Sequence, residues 1–235
     1  MTKEPWMIVI CGPNGAGKST FYNNFFKNDP FFKKVDFINL DVEAANLADE
    51  NNSVNDVMMD AGRNIKERLA ANMKNRKTFI YETTSAGRSQ FKLIKQAQEH
   101  GFKVASVFIG LSSAKLSLLR VKERVSNGGH DVPPDIIEHR FPNVMKNFPE
   151  MLKLSDISVA FDNSGKNPYE LIFMMDTRKL FVFHSYPKWL NNALKSRKTK
   201  KEILHVTKEE VDQMPRNKIE NIAKKVFNAF SQNTL

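Results

Sequence analysis

A glycine-rich run close to the N-terminus reads Gly12-Pro13-Asn14-Gly15-Ala16-Gly17-Lys18-Ser19-Thr20. It follows the apolar, β-branched residues 7–11 and precedes an aromatic-rich stretch at 21–26, which indicates a strand, a loop and a helix in that order. The run matches the pattern G-x-x-x-x-G-K-[ST] of a phosphate-binding loop without a mismatch. In such loops the backbone N–H groups and the positive end of the helix face the phosphate oxygens. All nine residues are therefore predicted to bind phosphate.

Two side chains at the end of this run carry the chemistry expected of it. Lys18 would reach the β- and γ-phosphates, and the Ser19 hydroxyl would ligate Mg²⁺. A glycine turn that merely joined a strand to a helix would need neither the lysine nor the hydroxyl. The run therefore predicts that the chain binds a nucleoside triphosphate together with Mg²⁺.

The chain of 235 residues has 36 Lys and Arg against 26 Asp and Glu, a net charge of +10. Such an excess suits nucleic acid, a membrane surface, a small polyanionic substrate or simply a basic soluble surface. The densest basic cluster, at 195–201, has no aromatic residue for base stacking and is interpreted as a solvated loop.

The cellular compartment is predicted from three features that the sequence lacks. It has no long apolar segment and no signal-peptide pattern, so we expect neither a membrane span nor secretion. The single cysteine, Cys11, has no partner for an internal disulfide, which is compatible with the reducing cytoplasm. On a buried strand it is expected to act as a small apolar residue rather than a nucleophile.

Short apolar runs alternate with helical patterns along the chain, and these predicted strands lie near 7–11, 35–40, 78–81, 104–109 and 157–161. The alternation predicts an α/β fold of the P-loop NTPase class, with a parallel sheet wrapped by helices on both faces. One domain is expected over 1–235, with a lid at about 112–150. The C-terminal part, about 170–235, is predicted to hold a β-hairpin and a last helix that begins at Pro215.

Acidic residues follow the predicted strands at the edge where ligands bind in such sheets, at Asp41, Glu82 and Asp162. Asp41 is the candidate base that accepts the proton of a substrate hydroxyl, and its alternative role is to cap the next helix. Glu82, with the adjacent Thr83, is predicted to hold substrate hydroxyls or to order the water around Mg²⁺. Its alternative is a plain surface carboxylate at the end of a strand.

Three arginines bracket the predicted loop at Gly128-Gly129, and they are Arg120, Arg124 and Arg140. Guanidinium groups on a lid would close over the transferring phosphoryl group and stabilise its charge. The alternative is that these arginines pair with Glu123 and Glu138 on solvated helices.

Several segments together resemble the zeta toxin family of P-loop kinases, and in particular its compact bacterial branch, often labelled predicted ABC-type ATPases. They are the glycine-rich run, Ile38-Asn39-Leu40-Asp41, Tyr81-Glu82-Thr83-Thr84, and the stretch from Arg124 to Pro133 with the following Arg140. The resemblance implies a fold like that of nucleoside monophosphate kinases, with ATP and Mg²⁺ held by Lys18 and Ser19.

The resemblance also implies roles for further residues. Asp41 would be the base, Glu82 would place the substrate, and Arg124 and Arg140 would be the lid arginines. The segment Asn163-Ser164 resembles the one that precedes the adenine side of the pocket. The best understood members phosphorylate the sugar of UDP-N-acetylglucosamine, and a toxin role would imply a neutralising antitoxin.

Other functions compete with a small-molecule kinase. A transporter ATPase is disfavoured, because the sequence has no LSGGQ-like signature and no apolar strand that ends in Asp-Glu. The net charge favours a polynucleotide 5′-kinase or another enzyme that acts on nucleic acid. A third alternative is a nucleotide-binding module with weak ATPase activity that acts through a partner.

Overall fold

The computed structural model describes residues 4–49, 51–54, 56–175, 179–183, 187–195 and 202–206. The strands in this part of the chain are β1 (Trp6–Cys11), β2 (Asp36–Asn39), β3 (Phe79–Thr83), β4 (Lys103–Gly110), β5 (Ile157–Asp162), β6 (Glu170–Met175), β7 (Lys179–Phe183) and β8 (Glu202–Val206). The helices are α1 (Lys18–Phe25), a short 3-10 helix at Phe32–Lys34, α2 (Leu40–Leu47), α3 (Met58–Lys74), α4 (Ser89–Glu99), α5 (Ala114–Ser126), α6 (Pro134–Leu154) and α7 (Lys188–Lys195).

The strands form one sheet in the order β2-β3-β1-β4-β5-β6-β7-β8. The first five strands are parallel, which confirms the predicted α/β fold. Strands β6 and β7 form the predicted antiparallel hairpin, and β8, which the sequence analysis did not predict, runs parallel to β7. Strand β1 lies between β3 and β4, so the strands that follow it in the chain are added first on one side of β1 and later on the other. Ligands of open α/β sheets bind beyond the strand ends at the position where this order reverses.

Both faces of the central strand β1 are covered, and all six of its residues are buried. Ile8 and Ile10 pack with Phe21 of α1 on one face, while Met7 and Val9 pack with residues of α3, α4 and α6 on the other. Parallel strands that are buried on both faces are continuous apolar runs, as predicted here. The packing fixes the carboxyl ends of five parallel strands at one edge of the sheet.

The region after β2 contains two helices, α2 and α3, with a loop between them. Ser53 and Asp56 are hydrogen-bonded in this loop, with the Ser53 N–H and hydroxyl donating to Asp56 Oδ2. The pair lies in the loop rather than at the N-cap, because α3 begins only at Met58.

An ion-pair cluster holds α2 against α3 and β2. Arg68 of α3 binds Asp36 at the start of β2 and also donates to Glu43 of α2 at 2.7 Å. Asn72 of α3 donates to the second oxygen of Asp36 at 2.7 Å. This cluster fixes the position of α2 relative to the sheet, although none of its members carries a motif in the sequence.

Two predictions fall largely on residues that the structure does not describe. The helix expected from Pro215 lies wholly outside the described residues. Of the basic cluster at 195–201, only Lys195 is included, and it ends α7 rather than lying in a loop. No helix in the described part of the chain is long and apolar enough to cross a membrane.

Gly12, directly after β1, is the point at which the glycine-rich loop approaches the neighbouring strand most closely. Its φ is +145°, and a Cβ at this position would lie 2.1 Å from the carbonyl oxygen of Ile109 in β4. A side chain would therefore push two central strands apart. Gly62, inside α3, offers a contrast, because a Cβ there would meet nothing within 4 Å.

We predict that Gly12→Ala lowers the free energy of unfolding by about 3 kcal/mol or more, through backbone strain and steric overlap. Gly62→Ala, the matched control, should raise the same free energy by about 0.5–1 kcal/mol, because alanine favours a helix interior. Urea unfolding followed by circular dichroism measures both. A Gly12→Ala protein as stable as the wild type would contradict this account of the contact between loop and strand.

Candidate active site

The glycine-rich run forms a loop that turns from β1 into α1. Gly17 is the N-cap of α1 with a φ of 88°, and Lys18 is the first residue of the helix. A Cβ at position 17 would lie 2.9 Å from the Tyr169 hydroxyl oxygen and 3.0 Å from Asn163 Nδ2. The first turn of α1 has no side-chain cap and no acidic residue, so its N–H groups are available to an anion.

Side chains from distant parts of the chain fix the backbone of this loop by donating to its carbonyl groups. They are Ser117 Oγ to Asn14 at 2.5 Å, Asn163 Nδ2 to Ala16 at 2.9 Å, and Tyr169 Oη to Gly17 at 2.9 Å. A fixed backbone is what a row of phosphate-binding N–H groups requires. Ser117 and Tyr169 were not predicted, because each lies more than 100 positions from the loop residue that it binds and belongs to no local motif.

Lys18 is a buried ammonium group without an ion pair. Only 8% of the residue is exposed, and its Nζ donates to the carbonyl oxygen of Pro13 at 2.9 Å. None of the ion pairs among the described residues includes it. Burial lowers the pKa of Lys18 and nearby Arg124 adds to this effect, whereas Glu82 and Asp41 act in the opposite direction. A charge in such surroundings favours an anion as its partner.

Ser19 and Glu82 bring a hydroxyl and a carboxylate together where a magnesium site is predicted. The Ser19 hydroxyl lies 3.1 Å from both carboxylate oxygens of Glu82, which lies in β3 and is 8% exposed. Burial raises the pKa of Glu82, and Lys18 together with hydrogen bonds from Asn39 and Ser19 opposes the rise. Glu82 is therefore not a surface carboxylate.

This donor set fits Mg²⁺, which prefers oxygen ligands and keeps several of its waters. Within the described residues no three His, Cys, Asp or Glu side chains come together, so protein carboxylates alone would not enclose a metal. The ion would rest on Ser19, on water ordered by Glu82 and on phosphate oxygens.

Asp41 stands in the first turn of α2 and not at the end of β2, where it was predicted. The strand ends at Asn39, whose side chain accepts the N–H of Val42 at 3.0 Å and so caps α2. The alternative in which Asp41 is the helix cap is therefore wrong. Its side chain is exposed and lines the same cavity as Lys18 and Glu82.

The three arginines that were predicted for a lid lie on α5 and α6. Arg120 and Arg140 line the cavity together with Arg124, whose Nε and Nη2 are buried without a hydrogen-bond partner. Among the described residues, none of the three forms an ion pair with Glu123 or Glu138, the predicted alternative. Two nitrogen atoms of Arg124 are thus without a partner in the described part of the chain.

A cavity of about 1060 Å³ brings these groups together at the carboxyl edge of the sheet. Of the residues predicted for the site, it is lined by Asn14, Gly15, Gly17, Lys18, Ser19, Thr20, Asp41, Glu82, Thr83, Arg120, Arg124 and Arg140. Gly12, Pro13 and Ala16 are buried and do not line the cavity. Asp162 does not line the cavity either, and its side chain accepts a hydrogen bond from Ser164 in the turn after β5.

The rest of the cavity wall is mixed in character and was not predicted. Apolar side chains come from the start of α2, from the loop before α3 and from the loop before α6, at Leu40, Val54 and Val132. The loop at 83–87 also lines the wall, and the buried amide of Asn147 holds it by donating to three of its carbonyl groups. These residues leave room beside the phosphate loop for a second substrate.

Comparison with known proteins shows the family. A family model described as an AAA domain matches residues 7–150, which include the phosphate loop, Asp41, Glu82 and the three arginines. A Haemophilus influenzae protein, itself uncharacterized, is 33% identical over 134 residues, which are 57% of this chain and 91% of that protein.

Solved structures share the fold at low sequence identity. The AvrRxo1-ORF1:-ORF2 structure with ATP matches with a TM-score of 0.63 at 15% identity, over 82% of this chain and 63% of the other. The structure of the PezAT toxin–antitoxin system of Streptococcus pneumoniae matches with a TM-score of 0.55 at 17% identity, over 68% of each chain. The chain thus spans less than two thirds of the AvrRxo1 chain it matches.

The burial of Cys11, the last residue of β1, predicts that its thiol reacts slowly in the folded protein. It is fully buried, and burial raises its pKa from about 9 to about 12. The thiolate is the reactive form, so at pH 8 the folded protein should be labelled by iodoacetamide at least about 100-fold more slowly than the protein unfolded in guanidinium.

The same shift gives a pH dependence of stability. Because the folded state disfavours the thiolate, stability should fall as the pH rises from about 9 toward 12. A Cys11→Ala variant provides the control, since its stability should lack this part of the pH dependence. Rapid labelling of the folded protein at pH 8 would contradict the burial of the thiol.

Proposed function

The chain belongs to the AAA domain family, and from that premise we propose that it is an ATP- and Mg²⁺-dependent phosphotransferase. It moves the γ-phosphoryl group to a hydroxyl of a small molecule, in the manner of a zeta toxin-like kinase. A nucleotide sugar such as UDP-N-acetylglucosamine is the acceptor that we propose to test first. ATP is supplied in the cytoplasm, which we propose as the location of the reaction.

One observation carries the proposal: the buried ammonium group of Lys18 and the half-buried guanidinium group of Arg124, two of whose nitrogen atoms are buried without a hydrogen-bond partner, line one cavity and form no ion pair among the described residues. Leaving such charges unpaired is costly away from water, and a bound phosphate chain would relieve both. The uncapped start of α1 supplies N–H groups at the same place. This arrangement supports binding of the triphosphate with its terminal phosphate between the loop and α5.

The acidic residues support transfer to an acceptor rather than binding alone. Asp41 is exposed to the cavity and is not used as a helix cap, so its carboxylate is available to accept a hydroxyl proton. The acceptor oxygen would then bond to the γ-phosphorus as the bond to the β-phosphate oxygen breaks, and ADP leaves. When bound, Mg²⁺ neutralises charge on the phosphates. Arg124 and Arg140 would stabilise the charge on the transferring group.

Two residues of the cavity wall are proposed to contact the acceptor. They are Thr83, at the end of β3, and Arg120, on α5. Glu82 lies against Ser19, which favours a role beside Mg²⁺ over direct contact with substrate hydroxyls. The apolar wall near Leu40 and Val132 would exclude water from the transfer.

A partner protein is also part of the proposal. The titles of two structural neighbours name an ORF1:ORF2 complex and a toxin–antitoxin system. By the resemblance to zeta toxins, we propose that a neutralising antitoxin binds this chain if it acts as a toxin. A nucleic-acid acceptor is the second candidate, because the net charge of +10 favours a polyanion.

The experiment is a measurement of ADP release by the purified protein, with UDP-N-acetylglucosamine, related nucleotide sugars or a 5′-hydroxyl oligonucleotide as acceptor. Asp41→Asn should lower kcat by about 10²- to 10⁴-fold, because it removes the base, and should leave the Kd for ATP within about twofold. Asp60→Asn, which changes an exposed carboxylate of α3, is the control and should keep full activity.

Two outcomes would contradict the proposal. If Asp41→Asn lost ATP affinity together with turnover, Asp41 would serve the structure of the loop and not the transfer. If ADP release did not depend on any acceptor, the protein would be a triphosphatase.

A further inference from the structure

Asn39 touches two parts of the candidate site at once. It is the last residue of β2, is 5% exposed, and lines the cavity. Its side chain accepts the N–H of Val42 at 3.0 Å, and so caps α2. It is also the register partner of Glu82 in the adjacent parallel strand, so the two side chains lie side by side, and the amide of Asn39 opposes the rise that burial causes in the pKa of Glu82.

The orientation of the amide follows from these two partners. A helix N–H needs an acceptor and a carboxylate needs a donor, so only one orientation of the amide satisfies both. The oxygen accepts from Val42, which leaves the NH₂ group to donate toward the neighbouring Glu82 carboxylate. An aspartate at position 39 would keep the helix cap and lose the donor, and a serine would keep the cap but hold its shorter hydroxyl farther from Glu82.

This single amide therefore links two carboxylates that the proposed reaction uses. Glu82 lies on one side of it, against Ser19. On the other side it begins the helix whose first turn carries Asp41. Glu43, in the same first turn, is held separately by Arg68, whereas the bond from Asn39 fixes the backbone N–H of Val42, directly after Asp41.

We propose that Asn39 is a positioning residue, which sets the Glu82 carboxylate and the start of α2 in a fixed arrangement around the magnesium side of the site. The proposal rests on the proposed function, because it assigns Glu82 and Asp41 to the transfer. Asn39 does not itself act on substrate. Its effect is on the geometry of the two acids.

The test compares three variants at position 39 with one matched control. Asn39→Asp keeps the cap and loses the donor, Asn39→Ser keeps the cap and moves the donor away from Glu82, and Asn39→Ala loses both. The control is Asn72→Ser, because Asn72 is an equally buried amide, 8% exposed, that donates to the carboxylate of Asp36 and does not line the cavity. Kinetics and the Mg²⁺ dependence of ATP binding by titration calorimetry are measured for each.

Asn39→Ser is expected to lower kcat at least about tenfold with KM for ATP within about twofold. It should also weaken Mg²⁺-dependent ATP binding relative to Asn72→Ser at similar thermal stability. Asn39→Asp should do the same or worse, because it places a second negative charge beside Glu82. If Asn39→Ser and Asn72→Ser behave alike in both measurements, the amide of Asn39 contributes nothing to the site beyond the helix cap, and the proposal is overturned.

The calorimetry separates this proposal from the proposed function. A wild type that transfers phosphate to no acceptor would defeat the function. In that case weaker Mg²⁺-dependent ATP binding by Asn39→Ser than by Asn72→Ser would still establish the link to Glu82, and equal binding would overturn it.

Discussion

The buried ammonium group of Lys18 is the constraint on which the rest of this site depends. It has lost most of its contact with water, and its hydrogen bond goes to the carbonyl of Pro13 rather than to a carboxylate. Glu82 and Asp41 are near enough to favour its charge but do not pair with it, and Arg124 opposes it. A buried ammonium group that forms no ion pair among the described residues favours an anionic ligand, and a phosphate chain is the ligand that we propose.

The topology of the sheet explains how residues from distant parts of the chain come to lie near Lys18 and its loop. Five parallel strands end at the same edge, and the order β2-β3-β1-β4-β5 places the strand before Lys18 between its neighbours. Glu82 arrives on β3, Asp41 on the helix after β2, and Arg124 on the helix after β4. The loop is then fixed from the far side by Ser117, Asn163 and Tyr169, as described above. Strand β3 carries Glu82, helix α2 carries Asp41, and α5 and α6 carry the arginines.

The sequence predicted those parts of the molecule that depend on local pattern. The five parallel strands, the hairpin and the phosphate loop follow from apolar runs and glycine spacing, and the structure has all of them. The helix start at Leu40 was missed, because it depends on the Asn39 side chain accepting a hydrogen bond rather than on periodicity. The hydrogen bond from Tyr169 to the loop was not predicted either, because it joins residues that lie far apart in the sequence. Asp162 ends β5, as predicted, but it does not line the cavity and accepts a hydrogen bond from Ser164, which its position at a strand end could not show.

In the proposed reaction the γ-phosphoryl group ends on a hydroxyl and not on water, and phosphorus NMR of the reaction products distinguishes these two outcomes. The protein would be incubated with ATP, Mg²⁺ and a mixture of hydroxyl acceptors, including nucleotide sugars and a 5′-hydroxyl oligonucleotide. The account predicts a new phosphomonoester resonance that grows in step with ADP. If inorganic phosphate were the only product formed with every acceptor, the account of this site as a kinase would be contradicted.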